Sequence, residues 1–521
     1  MITCDVLVIG GGAAGLRAAI EARRFDLNVL LASKAPIGFS SCTLYVGGGF
    51  RAAFGSYSRE QHFNETLVGG RFLNDESLVR IMVDEAPKRL LELREFSVDV
   101  KIGERGVSVS DGPLTAGLGL ISPLTKYAKK IGVSFIENVM ALDLLVDDGI
   151  YGAIFYNVLS GNFFTVYCKS LILATGGYSR LYARTDNPAR VSGDGLAMAL
   201  RAGAALIDME FVQFFPLGLA ENDKPVWLFP AHSAKLLNRI GEDVLEKYGF
   251  NKSLGRTIIE NRDLLSRSMW TEISNCLGFD HSLLLALSPD KKFNGLVPES
   301  YYLSKVLDLD ITNVHVAPLT HFTMGGIAIN DRCETGVKGL YACGEVCGGV
   351  HGANRLGGNA LSEAIVFGAR AGFNAAMYSL NVKQKSSHPI SDNVYDRMLS
   401  SYKAGRYSVD DLRWKLRTAM WSDCGIIRNS DGLSNLLSFI DELKKKSKLV
   451  QAGSNFEVMK AFEFNNMLTL AEVVVRSSII RKESRGAHYR SDFPVEGGDE
   501  WRSHISFNLK GDKLSYRLVS S

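Results

Sequence analysis

The chain has 521 residues, too many for one compact core, so two or three domains with ample buried volume are expected. Hydrophobic residues at 46% and charged residues at 22% exclude a long disordered or fibrous polypeptide. A net charge of +3 is too small for a nucleic-acid footprint, and the one compact basic run, Lys444-Lys445-Lys446 with Lys448, reads as a solvated helix face.

The eight cysteines form no Cys-x-x-Cys pair and no ferredoxin-like run, so the sequence predicts neither a metal site nor an iron–sulfur cluster held by this chain. The first nine residues lead straight into a strand, and no apolar run approaches the ~18 residues needed to span a bilayer. These features predict a cytoplasmic chain with no transmembrane segment of its own, peripheral to a membrane only through a partner.

In chain order, Asp5-Val-Leu-Val-Ile9 is a short apolar run that suits a buried parallel strand, and Gly15 to Arg24 then has helical spacing. Asn28 to Ala32 supplies a second strand. The three elements make one β-α-β unit of about 30 residues, the size of a dinucleotide site. A Gly-rich loop follows at Gly47-Gly48-Gly49. Two later strands, Ser170 to Ala174 and Gly339 to Ala342, run into Gly176 and Gly344. Three strands that end at Gly10, Gly176 and Gly344 predict one sheet whose carboxyl ends converge on a single ligand.

The nucleotide-binding domain is therefore expected to be discontinuous, over residues 1–213 and 318–380. Residues 214–317 would form an inserted α+β capping domain, 390–485 a helical domain, and 486–521 a C-terminal tail. The stretch 383–393 reads as the clearest linker. The fold class is α/β, with a Rossmann-like domain at its centre.

Gly10-x-Gly12-x-x-Gly15, with Ala13 and Ala14 in the turn, permits a tight bend, close backbone approach to a pyrophosphate, and close helix packing. The second strand ends in Ser33-Lys34 instead of the acid that binds a ribose in NAD sites, which argues against NAD.

Further blocks follow in order: Ala174-Thr-Gly-Gly177, Thr185-Asp-Asn-Pro188, Gly193-Asp-Gly-Leu-Ala-Met-Ala-Leu-Arg-Ala-Gly203 and Met209-Glu-Phe-Val-Gln-Phe214. After them come Thr320-His-Phe-Thr-Met-Gly-Gly326, Leu340-Tyr-Ala-Cys-Gly-Glu345, Val350-His-Gly-Ala-Asn-Arg-Leu-Gly-Gly-Asn-Ala-Leu361 and Glu483-Ser-Arg-Gly-Ala-His-Tyr-Arg490. Together they resemble the succinate dehydrogenase, fumarate reductase and L-aspartate oxidase flavoprotein family over nearly the whole chain. Members often carry the Ser33-Lys34 pair.

The resemblance implies FAD, held by Gly10, Gly12, Ala13, Ala14, Gly15, Ser33, Lys34, Gly48, Ala174, Thr175, Gly176 and Gly344. It places Ala141 against the adenine, gives Asp194 and Glu345 flavin hydroxyls, and brings the Asn359, Ala360 and Leu361 backbone near the isoalloxazine. Where respiratory members have a His in Ser-His-Thr that bonds the flavin covalently, this chain has Cys42, so non-covalent FAD is expected.

For the substrate, His321 and Arg355 match the pair that binds one carboxylate, and Arg262 matches the arginine that shuttles a proton. The partners for a second carboxylate are replaced: Phe215 stands for a histidine and Val226 for a threonine. The Arg and Glu of the proton relay become Pro230 and His232, and His232 is a candidate to take over that relay.

The implied activity is hydride transfer between flavin and a saturated/α,β-unsaturated carboxylate pair, with fumarate and succinate first. An enoate with one carboxylate and one apolar end, L-aspartate oxidation, and a flavin-holding subunit without turnover are the alternatives. The implied partners are a small carboxylate and a separate iron–sulfur subunit or other electron carrier.

Overall fold

The computed structural model describes residues 2–109, 113–220, 226–230, 234–287, 296–297, 313–384, 405–511 and 513–520. The expected linker at 383–393 lies almost wholly outside them. The elements that place the site begin with β1 (Val6–Ile9), α1 (Ala13–Arg23), β2 (Val29–Ser33), β3 (Ser134–Glu137), β4 (Ser170–Leu173) and α2 (Asp194–Arg201). A second group is β5 (Val212–Leu219), β6 (Ala234–Leu237), α3 (Arg262–Ser274), β7 (Leu283–Leu287) and β8 (Asn313–Thr323). Then come β9 (Leu340–Ala342), α4 (Asn359–Asn381), α5 (Val409–Asp423), α6 (Ser430–Ser447), α7 (Asn455–Ile480), β10 (Ser503–Lys510) and β11 (Lys513–Ser520).

The order β9-β4-β1-β2-β3 makes one all-parallel sheet. The three strands expected to end in glycine are adjacent in it, with Leu173 paired to both Ile9 and Ala342. All four residues of β1 are buried, as a parallel strand covered on both faces requires. Strand bounds match the sequence reading to within a residue or two.

The cap is an antiparallel sheet of order β5-β8-β7-β6, with α3 packed on β5. Of its two long strands, β5 begins before residue 214 and β8 ends after residue 317, so the boundaries read from sequence fall inside them. That matters because Gln213 and His321 ride on these strands.

Among the described residues of the expected helical region, 405–485, stand the helices α5, α6 and α7. Buried positions Leu433, Leu436, Ile440 and Leu443 recur on one face of α6, while Lys444 and Lys446 on its last turn pair with Glu472 and Glu442. The segment expected as a C-terminal tail, 486–521, contains two strands among its described residues. β10 and β11 form a hairpin, and β10 pairs with Leu206 and Ile207. Alternation of Ile505, Phe507 and Leu509 supports that strand.

Candidate active site

At the end of β1 the chain turns through Gly10 at φ +121, where a side chain would put a Cβ 2.1 Å from the Ala174 carbonyl. Gly15 lets α1 lie on this turn, since a Cβ there would sit 1.9 Å from the Gly10 carbonyl. Above the strand ends opens a cavity of about 600 Å³.

Every cofactor position read from the sequence borders this cavity except Gly15 and Asn359. Gly15 is buried in packing. Asn359 is fully buried at the start of α4, where its amide bonds His62 at 2.9 Å and Thr66 at 3.0 Å. Its side chain therefore anchors the helix, and the neighbouring Ala360 and Leu361 reach the cavity.

Lys34 is not a free cation: it pairs with Asp194 and, at 2.8 Å, with Glu463 of α7. Asp194 also accepts from Ser192 at 3.1 Å and from Asn466 at 2.9 Å, so both of its oxygens are engaged within the protein. Glu345 accepts from the Thr323 amide at 3.1 Å, and burial pushes its carboxyl up to about 7. The Thr175 hydroxyl is buried in the wall with no partner among the described residues, as expected of a group whose partner is a bound molecule. The glycine turn, the strand-end cradle and this orphaned hydroxyl together fit a dinucleotide.

Cys42 borders the same cavity and donates to Asn187 Oδ1 at 3.1 Å. Burial, with the Glu345 and Asp186 charges, raises its thiol well above the ordinary value, so it is held as a thiol and not a nucleophilic thiolate.

At the other end of the cavity stand Arg262, His321 and Arg355, brought together from α3, β8 and the loop before α4. Arg262 Nη1 donates to Gln213 Oε1 at 2.7 Å, and Arg355 Nη2 donates to the same oxygen at 3.0 Å. The Gln213 amide nitrogen donates to Asn354 Oδ1 at 2.8 Å and to the Arg355 carbonyl at 2.9 Å. One neutral amide thus fixes both guanidiniums, and among the described residues neither makes a direct ion pair with a carboxylate. Asp263, the neighbour that would neutralise Arg262, points instead to Arg71 at 3.5 Å.

Burial and the Arg355 charge lower Arg262 to about 9, and burial lowers Arg355 to about 10. Arg355 Nε is buried without a partner among the described residues. His321 Nδ1 meets Asp186 Oδ2 at 2.6 Å, which fixes the ring. Burial outweighs that carboxylate and lowers the imidazole below its usual value. Two cations and a neutral imidazole make a site for one carboxylate.

Phe215 lies beside them, its ring 5.2 Å from His321 and 5.4 Å under the Arg262 guanidinium. Val226, expected opposite it, does not border the cavity. Its side chain packs on the apolar cluster of the cap, and the next residue, Trp227, lines the wall instead. His232 lies outside the described residues.

Gln213, Asp186 and Trp227 carry roles that the sequence reading did not assign. The first two stand inside the family blocks and could have been found there. Nothing around Trp227 signalled it.

A family model described as FAD binding domain matches residues 5–361, and one described as Fumarate reductase flavoprotein C-term matches 413–521. The chain belongs to the fumarate reductase and succinate dehydrogenase flavoprotein family. This flavoprotein is 38% identical to an uncharacterized FAD-dependent oxidoreductase of Methanocaldococcus jannaschii, over 99% of its own length and 98% of the relative's. It is 36% identical to a chain of the fumarate reductase (CoM/CoB) of Methanothermobacter marburgensis, over 97% of each. The solved FrdA chain of E. coli quinol fumarate reductase superposes with a TM-score of 0.91 at 27% identity, covering 100% of this chain and 98% of that one. The flavoprotein carries FAD and is an FAD-dependent oxidoreductase of the class that acts on CH–CH groups.

Proposed function

We infer that this flavoprotein interconverts an α,β-unsaturated carboxylate and its saturated counterpart, with fumarate and succinate as the pair suggested by the relatives' names. The observation that carries the reading is the pair of buried guanidiniums, Arg262 and Arg355, joined through Gln213 and facing a cavity that continues to the flavin cradle.

FAD supplies the hydride-transferring centre, held by the Gly10 turn, the Ala174 to Gly176 strand end, Glu345 and the start of α4. The chain's own residues do the rest. Arg355 and His321 seat the carboxylate, Asp186 fixes the His321 ring, and Gln213 holds both arginines in register. Arg262 holds the proton for the carbon next to the carboxylate, and its lowered pKa, about 9, brings that donation within reach. Phe215 and Trp227 keep water from this end.

The FAD is bound non-covalently in this reading, because the Cys42 thiol is held protonated. A separate electron carrier, by resemblance an iron–sulfur protein, completes the system in this reading. No helix among the described residues is long and apolar enough to cross a membrane. Single-turnover product analysis tests the reading: reduced protein should convert an enoate to one equivalent of saturated acid per flavin. Recovery of unchanged enoate from fully reduced protein would refute it.

A further inference from the structure

The carboxylate end and the opposite end of the substrate space differ in chemistry. At one end stand Arg262, Arg355 and His321. From there the wall passes to the Phe215 ring and on to the Trp227 indole, 6.1 Å from Phe215 and set edge to face with it. The indole is locked in place. Its Nε1 donates to the Tyr45 carbonyl at 3.1 Å, and its ring lies so close over Gly47 that a Cβ there would approach it to 3.1 Å. The indole's only N–H is therefore spent on the loop, and what it offers the cavity is its apolar surface. The Arg262 guanidinium lies over the Phe215 ring at 5.4 Å on the carboxylate side; among the described residues no cation is stacked on the Trp227 indole beyond it.

A second carboxylate placed against Phe215 and Trp227 would lose its water and gain no partner, which a buried charge does not tolerate. An aromatic or branched apolar group would instead meet two rings inclined at 73° to each other, an arrangement that accepts a third ring edge to face. We propose that the substrate is a monocarboxylate enoate bearing an aryl or bulky apolar group on its β-carbon, with Arg355 and His321 taking the carboxylate and Phe215 and Trp227 selecting the apolar end. This rests on the enoate reading above and narrows it: the fixed indole makes Trp227 a specificity-determining residue.

The test is equilibrium binding to the oxidised holoprotein by calorimetry, with the saturated acids 3-phenylpropanoate and succinate as probes, followed by reoxidation of reduced protein with cinnamate and fumarate. The proposal expects 3-phenylpropanoate to bind at least about tenfold tighter than succinate, the effect of one well-seated ring. Trp227→Ala should remove that preference, and Phe215→His should shift it toward succinate, both with the bound-flavin spectrum retained. Tighter binding of succinate, with fumarate the faster oxidant, would overturn the substrate class and leave the enoate reading standing. If neither acid binds and neither enoate reoxidises the flavin, both fall.

Discussion

Gln213 Oε1 accepts from Arg262 at 2.7 Å, so a buried guanidinium of the candidate site is held by a neutral amide and not by a carboxylate. The choice matters for charge. A carboxylate would neutralise the clamp that an anionic substrate needs, whereas the amide orients the guanidinium and leaves its charge for the ligand. Gln213→Glu should therefore raise KM for the carboxylate substrate by about 10- to 100-fold while the protein stays folded, since an internal anion then competes for both arginines. Gln213→Ala removes the hydrogen bond that each arginine donates to Oε1, at a cost of about 1–3 kcal/mol in stability, and should lower kcat with it. Steady-state kinetics beside thermal melts separate the two variants.

The pH profile should report Arg262. Burial and Arg355 lower it to about 9, so the guanidinium is protonated below that pH and loses its proton above it. If Arg262 holds the transferred proton, kcat falls as pH rises through about 9. Gln213→Glu moves that fall upward, because the added anion favours the charged form. An alkaline limb unmoved by Gln213→Glu would assign it to another group.

Arg355→Lys keeps the charge but loses the planar fork, and the lysine nitrogen cannot meet Gln213 and a carboxylate in the same geometry. KM should rise by roughly 100-fold with a smaller loss in kcat, the signature of lost binding and not of lost chemistry. Equal losses in kcat and kcat/KM would place Arg355 in the proton step instead.

Cofactor retention tests the cradle. Gly15→Ala forces a Cβ to within 1.9 Å of the Gly10 carbonyl, so α1 must move off the turn that holds the dinucleotide. Overpacking of this kind costs about 1–3 kcal/mol, and the purified variant should carry FAD at roughly tenfold lower affinity. Acid precipitation of the wild type should leave the flavin in the supernatant, as a protonated Cys42 thiol requires.

The C-terminal hairpin is tied to the nucleotide-binding domain by His504 Nδ1 and Asp208 Oδ2 at 2.6 Å. Burial opposes the imidazolium, but the Asp208 charge and hydrogen bond outweigh it and raise His504 above 6.5 in the fold. This contribution is complete below the unfolded value and disappears as pH rises through the raised one. Melting temperature should thus fall with rising pH across that window, and His504→Gln should flatten the fall. An unchanged slope would show that the pair contributes nothing.

The sheet was legible because strands ending at Gly10, Gly176 and Gly344 announce a shared ligand, and the structure sets those strands side by side. The carboxylate clamp was legible through family blocks that retain their residues. Trp227 was not, because its segment keeps almost none of the family block used to align it, and an offset of one residue in an extended chain exchanges the two faces. Both Val226 and Trp227 pack on the apolar cluster of the cap, but only Trp227 also reaches the cavity. Gln213 was visible as a residue but not as a link, since only the fold brings Arg262 and Arg355 to one oxygen. The hairpin at 503–520 escaped notice because one of its partner strands, Leu206–Ile207, is two residues long and some 300 residues away.

The central claim, that Arg355 and His321 seat a substrate carboxylate beside the flavin with the Arg262 guanidinium against them, is tested most directly by comparing an enoate with its methyl ester. Anaerobically reduced protein is mixed with each in a stopped-flow instrument and flavin reoxidation is followed. The acid should reoxidise the flavin rapidly and the ester at least about 100-fold more slowly, because the ester leaves both buried guanidiniums without their anion. Equal rates for acid and ester would contradict the claim.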